Sequence, residues 1–103
     1  MIKEILNAAH IPSREARFPD PPEGTYAVYF DSVTADGPDG SNRIFTHDCT
    51  VELYAPVLDR TSKAALESEL NARGIHYTTQ GWYWLDSLRR YQEIYEFTFT
   101  GKT

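Results

Sequence analysis

Two stretches of strict alternation decide most of what this chain can fold into. From Arg43 to Tyr54, the residues Phe45, His47, Cys49, Val51 and Leu53 take turns with Ile44, Thr46, Asp48, Thr50, Glu52 and Tyr54. From Tyr91 to Thr100, the residues Tyr91, Tyr95, Phe97 and Phe99 take turns with Gln92, Ile94, Glu96, Thr98 and Thr100. A strand sends successive side chains to opposite faces, so a period of two held over such lengths marks long strands and not helices. The set that contains Cys49 is expected to face the core, because a lone cysteine usually serves as a small buried apolar residue.

Further strands follow from the same rule. Thr25 to Val33 reads as one, with Tyr26, Val28 and Phe30 on one face and Thr25, Ala27, Tyr29 and Asp31 on the other. The turn-forming run Thr34 to Asn42 would join it to Arg43–Tyr54 as a hairpin. Residues 75–85 read as a third strand, open to a break at Gln80-Gly81, and Asp86 to Arg90 is a polar turn before the last strand. The bulky groups on both strand faces suggest that one sheet face meets a neighbour, with Tyr29, Ile44, Tyr54 and Ile94 on that second face.

Two segments have helical spacing. Ile2, Ile5, Leu6 and Ala9 form one stripe over residues 2–9, and Pro12 forbids continuation. A second helix is expected to run to Arg73, capped at its start by Asp59, Thr61 or Ser62 and ended by Gly74 in the left-handed conformation. Its stripe is Ala64, Ala65, Leu66 and Leu70, with Lys63, Glu67 and Glu69 turned to water. Between the first helix and first strand, Pro12, Pro19, Pro21, Pro22 and Gly24 make residues 12–24 an extended arm. The expectation is a single α+β domain over residues 1–103: an antiparallel four-stranded sheet of two hairpins with two helices, in the order α-β-β-α-β-β.

Charge and composition exclude several functions. The net charge of −5 and the scatter of the cations leave no basic patch, so specific nucleic-acid binding is not expected. One cysteine admits no internal disulfide. No segment approaches the ~20 apolar residues of a membrane helix, and the N-terminus lacks a signal-peptide core, so a soluble protein made in the cytoplasm is expected. His10, His47 and His76 stand in separate elements without paired ligand spacing, so no metal or cofactor is expected. The loop Asp36 to Asn42 has calcium-ligand residue types but not the order of a calcium loop, and any turn uses the same residues. No nucleophile elbow, phosphate loop or dinucleotide fingerprint occurs, and no carboxylates are paired as acid and base. A non-enzymatic role is expected. The enzymatic rival would need a cleft gathering His47, Asp48 and Trp84.

The segments Ile11 to Pro19, Thr25 to Phe30, His47 to Tyr54 and Tyr91 to Phe97 carry a resemblance. Together they resemble tail-completion or tail-terminator proteins of long-tailed bacteriophages and prophages of Gram-positive bacteria, over nearly the whole chain. The resemblance implies a virion protein forming a ring, usually a hexamer, at the head-proximal end of the tail. Such a ring stops growth of the tail tube and docks the tail to the neck, with copies of itself, the tube protein and a neck or head-closure protein as partners. An acidic lumen would let DNA slide through. Other neck roles, such as head closure, stand close by. The motifs are structural and assign no catalytic residue. As interface candidates the arm offers Arg14, Arg17 and Phe18, against the alternative of a strap packed on its own sheet. The hairpin loop offers Asp36, Asp39 and Asn42, against the alternative of a solvated turn.

Overall fold

The computed structural model describes residues 1–36 and 44–102. Its elements are α1 (Ile2–Ala8), β1 (Ser13–Glu15), β2 (Tyr26–Asp36), β3 (Ile44–Ala55), α2 (Arg60–Ala72), β4 (Tyr77–Thr79), β5 (Tyr83–Leu85) and β6 (Arg90–Lys102). The two expected helices are present, but the sheet differs from expectation. It is mixed and six-stranded, ordered β1-β2-β3-β6-β4, with β5 also on β6.

Two departures produce the extra strands. Within the arm, β1 pairs in parallel with Ala27 to Tyr29 of β2. Proline is tolerated there because this is the sheet edge, and Pro12 contributes only its carbonyl, which accepts from Ala27 N–H. The third expected strand splits at Gly81, whose φ of 90° turns the chain. Its halves β4 and β5 pair with different parts of β6, at Tyr95 to Phe97 and Arg90 to Gln92.

Each helix end is explained locally. In α1 the backbone closes with Ile11 N–H donating to Leu6 O, and His10 takes the left-handed position at φ 60°. In α2, Asp59 is the cap, accepting from Ser62 N–H at 3.0 Å. Gly74 adopts φ 68°, and Ile75 N–H reaches back to Leu70 O, as the sequence led one to expect.

Both helices pack on one face of the sheet. Ile2, Ile5 and Leu6 of α1 meet Leu66 and Leu70 of α2 over Ala27, Val51, Leu53, Tyr95 and Phe97. Burying each of these large aliphatic chains contributes about 1.5–3 kcal/mol. Tyr29 belongs to this helix-covered face, not to the second one. It pairs with Val51 and packs against the core, because the register of β2 on β3 sets Ala27 and Tyr29 in line with Leu53 and Val51. Cys49, Val51 and Leu53 face inward as expected, and Ala55 joins them.

The core ends near the row Asp31–Cys49–Phe97, with Phe99 packed at its margin. β2, β3 and β6 continue past it as a three-stranded β-arm, which lengthens the protein to 48 Å against 27 and 22 Å across. Among the described residues, no helix is long and apolar enough to cross a membrane.

Candidate functional site

The arm and the open sheet face hold the groups available to a partner. Strand alternation places Phe30, Ser32, Asp48, Thr50, Glu96 and Thr98 on the face away from the helices. Several of them line a shallow trough of about 560 Å³. Phe30 and Ile44 on this face, and Val33 on the opposite face of the arm, are large apolar residues left 41%, 43% and 50% exposed.

On the helix side of the arm, Asp31 gathers two neighbours. His47 Nδ1–H donates to both carboxylate oxygens, at 3.0 and 2.9 Å, and a carboxylate that can only accept fixes this tautomer. The ring stacks on Phe99 with centroids 4.4 Å apart. Cys49 Sγ lies 3.9 Å from the same carboxylate. Burial, reinforced by the charge of Asp31, pushes the Cys49 thiol up to about 12. A thiol held protonated is a poor nucleophile, so the group is packing chemistry.

The cleft required by an enzymatic reading does not form. His47 and Asp48 are consecutive on β3 and therefore point to opposite faces. Trp84 pairs with Tyr91, while His47 pairs with Phe99, eight residues farther along β6 and so about 26 Å away at strand rise. Among the described residues, no three His, Cys, Asp or Glu side chains are grouped so as to hold a metal ion.

The arm candidates fold back on the protein. Phe18 packs edge-on against Tyr26 at 5.3 Å, and Arg14 lies over the Phe18 ring at 5.0 Å. Arg90 pins the following residues by donating to the carbonyls of Pro22, Glu23 and Gly24 at 2.9–3.1 Å. Arg14 and Arg17 remain exposed and Phe18 is half-buried, so residues 12–24 act as a strap. Asp36 ends β2 next to the hairpin loop, and Asp39 and Asn42 lie outside the described residues.

A charged cluster beneath α2 escaped the sequence reading. Lys63 and Glu67, expected to face water, lean onto β6. Glu93 is fully buried and takes Lys63 as its partner, while its Oε2 meets no donor among the described residues. Tyr95 OH donates to Glu67 at 2.6 Å and accepts from Lys63 at 3.1 Å. Burial disfavours every charge here, yet hydrogen bonds from Tyr95 and Lys63 hold the Glu67 carboxyl below its ordinary range. Burial and the Glu67 bond drive the Tyr95 phenol far up. The available signal was Glu93 itself, which falls in phase with Tyr91, Tyr95 and Phe97 on the inward face.

No protein-family model matches the sequence, and no curated protein does. Among solved structures, the chain is similar to one from the virion of a native gene transfer agent (GTA) particle, with a TM-score of 0.54 and 16% sequence identity. The match covers 94% of this chain and 84% of that one. The two chains share a fold.

Proposed function

We propose that this protein is a virion structural component that forms a ring at the head-proximal end of a phage tail, ends growth of the tail tube and joins the tail to the head. The observation that carries this reading is the fold held in common with a virion chain over 94% of the present one. The resemblance of its strap and strand segments to tail terminators supports the finer assignment. So does the β-arm, whose Val33 and Ile44, one on each face, are exposed and available to a neighbouring subunit. Its partners are further copies of itself, the tail-tube protein and a neck protein. The role is mechanical and not catalytic, consistent with the protonated Cys49 thiol and with His47 engaged by Asp31 and Phe99. A net charge of −5 suits a ring through which DNA must pass without sticking.

Electron microscopy of particles made without the protein tests the assignment. Overlong tails are expected. Normal tails beside heads that leak DNA would move the protein to a head-closure role, and normal particles would remove it from the neck altogether.

A further inference from the structure

Among the described residues, both edges of the β-arm are bare over five matched rows, Ser32 to Asp36 on β2 and Thr98 to Lys102 on β6. β1 covers β2 only from Ala27 to Tyr29, and β4 covers β6 only from Tyr95 to Phe97. Beyond these points each strand pairs with β3 on one side and with nothing on the other among the described residues. Val33 pairs with His47 and His47 with Phe99, so the two bare lengths stand at equal height. Ala27 N–H donates to Pro12 O and Tyr29 O accepts from Ala16 N–H, so these odd-numbered residues of β2 turn their backbone groups outward. On the arm that set is Asp31, Val33 and Ala35. Alternation through β3 makes Thr98, Thr100 and Lys102 the outward set on β6. Folds normally blunt such edges with proline, charged side chains, a bulge or a covering segment, and here the charges are confined to Asp31, Asp36 and Lys102, at or next to the ends of the two lengths. Neither bare length contains a proline, and their register with β3 is unbroken.

We propose that copies of this chain join through these edges, Ser32 to Asp36 of β2 in one copy lying parallel beside Thr98 to Lys102 of β6 in the next. The inference rests on the ring reading above and supplies its joint.

The fit of the two edges identifies the occupant. β2 and β6 are each antiparallel to β3 and therefore run in the same direction. A copy displaced sideways brings its β2 alongside this β6 in parallel. Parallel pairing joins outward groups whose side chains lie on opposite faces, as where Ala27 bonds Pro12. The arm meets that requirement: the outward residues of β2 point to the helix face and those of β6 to the open face. Helices consequently stay on one side of the sheet in every copy. At equal height the seam sets Val33 beside Phe99 and Thr34 beside Thr100, apolar against apolar and hydroxyl against hydroxyl. Each copy has one edge of either kind, so the contact is head-to-tail and yields a ring when its rotation closes. A foreign strand on β2 alone leaves β6 bare.

Val33→Pro and Thr100→Pro each delete one outward N–H without touching a bond to β3. The full chain is examined by native mass spectrometry and sedimentation velocity, one variant being isotope-labelled. Oligomers are expected for the unaltered protein, and at least a tenfold weakening for each variant alone. An equal mixture of the two is expected to give heterodimers and nothing larger, because one intact edge of each kind survives. Oligomers of either variant at full strength, or a mixture without heterodimers, overturn the seam while leaving the ring reading in place. A natural sequence that stays monomeric even with tail-tube protein present overturns both. If circular dichroism shows that a proline unfolds the chain, charge pairs replace it. Thr34→Glu with Thr100→Glu should abolish assembly and Thr34→Lys with Thr100→Glu should restore it, and equal assembly of the two refutes the seam.

Discussion

Replacing Lys63 by Met tests the buried ion pair at its weakest point. Glu93 has no exposed surface, and its carboxylate depends on Lys63, whose side chain is 25% exposed. Breaking a buried pair by removing one partner costs about 3–5 kcal/mol when the other charge stays bare. Urea unfolding at pH 7, referred to the unaltered protein, reads this loss directly. Adding Glu93→Leu to Lys63→Met should recover most of it, since two apolar residues leave no charge to compensate. A penalty under about 1 kcal/mol, or a double variant no more stable than Lys63→Met, would refute the argument that a lone buried carboxylate dominates.

Three further outcomes are expected. Gly74→Ala should cost about 1 kcal/mol in urea unfolding, purely from the left-handed backbone at φ 68°, since an added Cβ meets nothing within 4 Å. Asp59→Ala should cost about 1–2 kcal/mol by loss of the α2 cap and of the Thr25 hydroxyl bond that ties the start of β2 to that cap. In the unaltered protein, burial opposes the Asp59 charge but hydrogen bonds from Thr25 and Ser62 outweigh it and hold its carboxyl low. The contribution of Asp59 should accordingly be complete above pH ~4 and fade as pH falls through its lowered folded value, which a thermal melt series in acid would show. Cys49, buried and pushed up to about 12, should resist a thiol reagent at pH 8 in the native protein and react once urea unfolds it; rapid labelling of the native chain would contradict its place in the core.

Local physics was legible in the sequence because it acts over one to four residues. Alternation along 43–54 and 91–100 marked the long strands found at 44–55 and 90–102, and helical spacing marked α1 and α2. Pro12 and Gly74 act on their own backbone, so the ends they impose needed no knowledge of the rest. Strand alternation also set His47 and Asp48 on opposite faces, although the cleft gathering them with Trp84 was set aside only by the fold. The inwardness of Cys49, Val51 and Leu53 followed from one apolar face against one polar face.

Tertiary structure decided what depends on who lies alongside. β1 is three residues long and has no signature of its own; it exists because β2 offers an unpaired edge at Ala27 to Tyr29. β2 has bulky residues on both faces, so register on β3, not side-chain volume, chose small Ala27 for the helix side, where α1 and α2 must approach closely. Lys63 and Glu67 look like solvated helix charges until Glu93 is found beneath them, thirty residues after Lys63 in the chain. The bare edges of the β-arm are likewise invisible in one dimension, because an edge is defined by the absence of a neighbour and every neighbour is assigned by the fold.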